Sequence, residues 1–312
     1  MTVITKPGIY CGVDVAAYHA DFCPAPSLTQ SIAKLLIDRS PAHAKAAHPK
    51  LTPPAPDDEP EAYVKAKAIG DAAHALMIGR GKMLAVGQFD SWRTKEAQAF
   101  KERALLSGST PVLAAHFTEA IEIVQAARAQ LDAHEEHDCF TGGAGEVALV
   151  WQEGGLWFRC LVDWLHDDLL TVDDFKTTGM SVAEHVLGTR AVDGGWDVQA
   201  AMTERGLDAL DPDNAGRRRF RFVAQEQEPP YALNVVVMSE HWLTMGRKKL
   251  NYAIDQWSRC MASGTWPAYA PFAVTPEYPG FKESQWLNRE IAQAARARVP
   301  QREPMLTSLA GG

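Results

Sequence analysis

The chain has 312 residues, 46% hydrophobic and 22% charged, which fits an ordinary globular protein rather than a fibrous or disordered one. No apolar run approaches the ~18 residues of a membrane span, the start lacks a secretory signal, and the five scattered cysteines include no CxxC pair. These features argue against membrane partners, a disulfide framework or a structural zinc site, and make a reducing cytoplasm the expected compartment.

Residues 1–26 read as irregular. Ser27-Leu-Thr-Gln30 resembles a capping box opening an amphipathic helix to about Ile37. Leu51 to Pro60 is a polar, proline-rich loop. Helical patterns follow from Glu61 to about Ile78, ending at Gly79-Arg-Gly81, and then at 94–106 and 112–134. The pattern changes near Gly142-Gly143. Glu146–Trp151 and Leu156–Trp164, joined by a turn at Glu153-Gly-Gly155, read as a hairpin, and Leu169–Lys176 adds a third strand. Helices are expected at 181–189 and 196–208, strands at Arg217–Glu226 and Tyr231–Met238, and a long helix from Glu240 to Ser263. A loop-rich tail from Ala270 carries a helix near 283–297. The expected architecture is one α/β domain spanning 1–312, a central mixed sheet flanked by helices. Its parts are an N-terminal arm and helix (1–60), a core (61–269) and a tail (270–312).

The chemistry-bearing residues concentrate on the second and third central strands. Side chains alternate along a strand, so Asp174 and Lys176 share a face while Phe175 and Asp173 take the other. Asp163 ends the preceding strand, and Arg159 shares its face and could reach a DNA phosphate or a carboxylate. An acid on one strand, with an acid and a lysine at i and i+2 on the next, suits a metal-dependent phosphodiesterase. Two carboxylates hold a cation, and an ammonium sits beside the attacked phosphate or the water. The competing reading is that Asp163 opens a turn and Asp174/Lys176 form a surface ion pair of small value. Strand parity favours Asp174 over Asp173, whose alternative is a solvated or capping carboxylate.

Other candidates are less distinctive alone. His74 lies on an alanine-rich helix whose small neighbours, Gly70 and Ala73, would let it approach the sheet closely; neutral imidazole is a competent metal ligand. Glu146 opens the hairpin and could supply a further carboxylate, and Gln199 is an amide on a later helix. His134-Glu-Glu-His137-Asp-Cys139 reads as a solvated helix end. Arg217-Arg218-Arg219-Phe-Arg221 and Lys248-Lys249 are basic clusters that read by default as solvated turns and would track phosphates if they border the groove. The net charge of −8 counts against a generic nucleic-acid surface, although a local basic lining suffices for phosphate contacts. No Walker loop, dinucleotide fingerprint or Ser/His/Asp set is evident, so no nucleotide cofactor is expected.

With these residues in place the chain resembles the RecE-type exonucleases of phages and prophages (the nuclease domain of exodeoxyribonuclease VIII), within the PDDEXK nuclease superfamily. The resemblance runs through Gly8-Ile-Tyr, Asp14-Val-Ala-Ala-Tyr18-His-Ala-Asp and Ser27-Leu-Thr-Gln-Ser-Ile-Ala-Lys to Gly70-Asp-Ala-Ala-His74-Ala-Leu-Met-Ile-Gly79. It continues with Arg159-Cys-Leu-Val-Asp163-Trp, Asp174-Phe-Lys-Thr-Thr178, Asp197-Val-Gln-Ala-Ala201 and Gly264-Thr-Trp266-Pro-Ala-Tyr269. It implies a PDDEXK core and a 5′–3′ exodeoxyribonuclease acting on linear double-stranded DNA ends to leave 3′ tails. It also implies Mg²⁺, with Mn²⁺ substituting, a homo-oligomeric ring and a single-strand annealing protein as partner. His74, Asp163, Asp174 and the Phe175 carbonyl would then hold metal, Lys176 would be the catalytic lysine, and Gln199 would lie near the metal and the DNA backbone. A tyrosine is often found four residues after that glutamine, and Thr203 stands there. The alternatives are another PDDEXK nuclease, RecB-like or Cas4-like (the iron–sulfur versions need four clustered cysteines), or a non-catalytic DNA-end-binding protein.

Overall fold

The structure, a computed structural model, describes residues 3–53, 61–80 and 83–297. The expected proline-rich loop from residue 54 onward and Gly81 lie outside the described residues.

The chain divides after Ala268 into two units. The first is built on a seven-stranded mixed sheet ordered β1-β5-β6-β7-β8-β9, with β2 beside β6. In chain order its elements begin with β1 (Gly8–Cys11), α1 (Val15–His19), β2 (Ser27–Leu28), α2 (Gln30–Asp38) and α3 (Pro41–Ala47). There follow α4 (Glu61–Ile78), β3 (Leu84–Gly87), α5 (Lys95–Leu106), β4 (Thr110–Leu113) and α6 (Ala114–Asp132). The central strands are β5 (Gly143–Glu153), β6 (Leu156–His166) and β7 (Thr171–Thr178), followed by α7 (Glu184–Gly194) and α8 (Trp196–Leu210). After a 3₁₀ turn come β8 (Arg219–Glu226), β9 (Leu233–Val237) and α9 (Glu240–Ser263). The second unit contains α10 (Gly280–Ala297). No helix of the described residues is long and apolar enough to cross a membrane.

β5, β6 and β7 form an antiparallel meander, β7 and β8 run parallel, and β9 returns antiparallel. The parallel β7–β8 pair requires a crossover, supplied by α7 and α8. One sheet face packs Phe158, Cys160, Val162, Phe220 and Phe222 with residues of α2, α8 and α9. The other face packs Phe175 and Val223 with α4 and α6. Helices on both faces explain the near-continuous burial of β5 and β8.

The expected central elements are present with small shifts at their ends, but the N-terminal region holds more structure than its sequence suggests. β1 pairs with β5 and β2 pairs in parallel with β6, so the arm supplies strands to the sheet. The expected capping box is corrected: Ser27 belongs to β2, and Thr29 is the N-cap of α2, its hydroxyl accepting the Ile32 N–H at 3.3 Å. A two-residue strand leaves no period to read in sequence. A small parallel pair, β3 with β4, bridged by α5, also lies between α4 and α6.

Candidate active site

The site lies where two ladders of the sheet are interrupted at one row. β5 and β6 pair from Gly143↔His166 to Glu153↔Leu156 but skip the position where Glu146 faces Asp163. β6 and β7 pair only at Trp164↔Asp173 and Leu165↔Val172, stopping one residue short of Asp163 and Asp174. Three acids on three adjacent strands thus share the row at which the backbone bonding fails. Glu146 has φ +50, a left-handed conformation that costs a non-glycine residue about 1–3 kcal/mol. Asp163 takes over part of the missing ladder, its Oδ2 accepting the Phe175 N–H at 2.9 Å.

α4 delivers His74 to this row. The helix lies so close to β7 that a Cβ on Gly70 would come within 2.9 Å of Thr177 Oγ1 and 3.3 Å of Gln227 Nε2. His74 Nε2 then sits 3.1 Å from Asp163 Oδ2. On β7, Lys176 Nζ is 2.5 Å from Asp174 Oδ1 and 5.7 Å from the centre of the Phe222 ring. The Gln199 amide of α8 donates to Asp174 Oδ2. Asp174 is 1% exposed, and its Oδ1, although touched by the lysine charge, has no aligned hydrogen bond.

The electrostatics couple these groups. Burial pushes the Asp174 carboxyl up to about 6, the neighbouring Asp163 charge adds to the rise, and Lys176 offsets part of it. Burial would also raise Asp163, but the His74 charge and hydrogen bond hold it below the ordinary carboxylate range. His74 shows the converse: burial lowers it, yet the Asp163 charge and hydrogen bond prevail and lift it to about 9. Lys176 is likewise raised, because Asp174 and Asp163 outweigh its burial. Two carboxylates with divergent proton affinities beside a lysine form a site in which charge, not packing, sets the geometry.

The donor set fits a hard divalent cation. Carboxylate oxygens are its natural ligands, an imidazole nitrogen is a borderline one, and the buried Asp174 Oδ1, held by the Lys176 charge without an aligned hydrogen bond, is an acceptor that a cation would satisfy. Here the side chains close on one another as ion pairs. Among the described residues no three His, Cys, Asp or Glu side chains already stand at cation-holding spacing.

Other expected site residues are placed elsewhere. Asp173 is neither solvated nor a cap: it is fully buried on the opposite face from Asp174, as parity requires, and is bound to Arg221 Nε at 2.6 Å, His166 Nε2 at 2.7 Å and the Phe140 N–H at 2.8 Å. The His134–Cys139 stretch follows the end of α6 with Glu135, His137 and Asp138 exposed, as a solvated helix end would be, while Glu136 and Asp138 also complete the ion network around the buried Arg221. Arg159 lines the cavity beside Asp163, but its guanidinium is 3% exposed and committed to Asp21 and to the carbonyls of Tyr18 and Ser27. Arg218 is a buried clamp on Asp208, Asp211 and the carbonyl of Leu169. Arg219 pairs with Glu136, and Arg217 bonds Asn214 at 2.9 Å. Arg219 is level with Thr171, five residues from Lys176, or about 16 Å along the strand, so the arginine cluster is not gathered with the acids. Lys248 is exposed on α9. Thr203, where a tyrosine was expected from the resemblance, is buried.

The fold is shared with known proteins. A candidate exonuclease from Eubacterium rectale is 12% identical, with 81% of this chain and 90% of that one covered at a TM-score of 0.53. The alkaline exonuclease LHK-Exo from Laribacter hongkongensis is 14% identical over 72% of this chain and 99% of its own at a TM-score of 0.22. LHK-Exo in complex with dAMP is 13% identical over 75% and 100%, at 0.24. Neither LHK-Exo likeness is close enough to carry an argument. No curated protein sequence matches the chain. Residues 38–273 match the PDDEXK-like domain of unknown function DUF3799, a span that holds every residue of the cluster described above. With that match over most of its length, on a mixed sheet whose acids and lysine gather at one interrupted row, the chain belongs to the PDDEXK-like DUF3799 family.

Proposed function

We propose that the protein is a metal-dependent exodeoxyribonuclease acting on ends of linear double-stranded DNA. The observation that carries this reading is the convergence of His74, Asp163, Asp174, Lys176 and Gln199 from α4, β6, β7 and α8 on one point. A binding protein has no need of a desolvated acid pair held against a lysine.

His74, Asp163, Asp174 and the Phe175 carbonyl would hold the cation, Mg²⁺ by preference for hard ligands and Mn²⁺ as its substitute, with Glu146 near enough to add charge. Bound there, it supplies positive charge to the scissile phosphate and the leaving oxygen. Lys176, 31% exposed and tethered to Asp174, can reach the attacking water and a phosphate oxygen. Gln199 fixes the Asp174 carboxylate through Oδ2, so the acid presents Oδ1, which faces Lys176, in one direction. The Phe175 N–H fixes Asp163 in the same manner.

The finer reading follows the RecE-type resemblance: degradation from the 5′ end, 3′ tails for annealing-type recombination, a phage or prophage setting, a ring of identical subunits and an annealing protein as partner. Incubation with linear and circular duplex DNA in Mg²⁺ tests it. An exonuclease consumes only the linear form, an endonuclease also nicks circles, and an end-binding protein cuts neither. End-labelled duplex then reads polarity, and size measurement in solution reads the ring.

A further inference from the structure

Two cavities flank the acid row. One, of about 300 Å³, is lined by Asp163, Asp174, Lys176 and Gln199; the other, of about 310 Å³, by His74, Glu146 and Asp71. His19, at the end of α1, lines both, as does Leu161 beneath it on β6. A nucleic-acid strand with one phosphate at the acids must put a nucleoside on each side. The side chain common to both spaces then lies beside that phosphate.

The local structure holds His19 firmly although the residue itself is exposed. Its predecessor Tyr18 is buried, has its carbonyl bound by Arg159 Nε at 3.2 Å and its ring 5.1 Å from the guanidinium, and meets the His19 ring edge-on at 5.4 Å. Two residues later Asp21, 1% exposed and at φ +63, binds Ser27 N at 2.9 Å, Ser27 Oγ at 2.8 Å and Arg159 Nη1 at 3.0 Å. A five-residue helix on an N-terminal arm would not otherwise keep one orientation. Buried ionic anchors on both sides of one exposed imidazole are the support expected of a ligand-contacting group. The cavities also need donors. Asp163, Asp174, Glu146 and Asp71 line them, and of the basic groups beside them Arg159 is committed to Asp21, Lys176 to Asp174 and His74 to Asp163.

We infer that His19 donates a hydrogen bond to a DNA phosphate at or next to the scissile bond, and that the Arg159–Asp21 pair positions it. This rests on the nuclease reading above. Arg159 thereby serves DNA through His19 rather than by touching it.

The test compares wild type, His19→Ala and His19→Gln on a short 5′-phosphorylated linear duplex. Binding is read by fluorescence anisotropy in Ca²⁺ and cleavage by steady-state kinetics in Mg²⁺. Losing one hydrogen bond to a charged group should weaken His19→Ala binding and raise its KM by about 10- to 100-fold with Tm unchanged, and His19→Gln should recover part of the loss. His19→Ala that binds and cuts like wild type overturns the inference and leaves the nuclease reading standing. A loss confined to kcat with binding intact also overturns it. Wild-type protein that neither binds nor cuts the duplex overturns both.

Discussion

Gln199 of α8 donates its side-chain amide to Asp174 of β7, tying the helix that follows the meander to the central acid of the site. α8 is buried along most of its length between the sheet and α9, so this amide cannot drift without moving the core. Removing it leaves the carboxylate Oδ2 without that donor and the acid less well aimed. Gln199→Ala should therefore fold normally and lose about 10- to 100-fold in divalent-cation affinity or in cleavage, the usual effect of losing a partner that orients a ligand. Calorimetric titration with Mn²⁺ checks the first quantity without relying on turnover.

The α8–α9 contact is close enough for one methyl group to test it. A Cβ on Gly246 would come 2.1 Å from the Asp197 carbonyl oxygen and 3.1 Å from Ala201 Cβ. Backbone cannot yield as a flexible side chain does. Gly246→Ala, which in an exposed helix would gain about 1 kcal/mol, should here lose stability by about 1–3 kcal/mol in chemical denaturation.

Arg221 is fully buried and faces Asp173, Glu136 and Asp138. Arg221→Ala leaves the buried Asp173 with only the His166 ring and the Phe140 N–H and should cost about 3–5 kcal/mol, whereas Arg221→Met with Asp173→Leu should recover much of that loss. Denaturant midpoints of the two variants separate an ion network needed for stability from one that merely replaces apolar packing.

Asp21 sets an acid limit on the fold. Burial pushes its carboxyl up, but the His48 hydrogen bond, the Arg159 charge and the Ser27 hydrogen bonds pull harder and bring it from 3.8 to about 2. A carboxyl lowered in the folded state stabilises fully above its unfolded value and loses that contribution as pH falls through the folded one. The share is on the order of 2 kcal/mol and should disappear between about pH 4 and pH 2. Thermal unfolding across that range should fall more steeply for wild type than for Asp21→Asn, which is expected to be less stable at neutral pH.

Much of the acid row was legible because strand parity is a property of the chain itself. Alternation alone separates Asp174 from Asp173, and the structure puts them on opposite faces with different partners. Gly70 and Ala73 announced the close approach of α4 that brings His74 to Asp163. What was not legible depends on distant pairing. Arg159 could reach a phosphate or a carboxylate from its face, but nothing local shows that the carboxylate is Asp21, which comes from the arm through a turn and a two-residue strand too short to show a period. The Arg217–Arg221 cluster looked like a basic surface, since nothing local reveals that Asp208, Asp211, Glu136 and Asp138 fold back onto it. Glu146 is an ordinary strand glutamate in sequence, and only its positive φ marks it as constrained.

The most direct measurement of the central claim is digestion of linear and circular duplex DNA in Mg²⁺ by wild type, Asp174→Ala and Lys176→Ala at matched folding, with EDTA as control. The account predicts loss of the linear form alone with wild type, no loss with either variant, and none in EDTA. Wild-type-like digestion by either variant, or robust cleavage in EDTA, would contradict it.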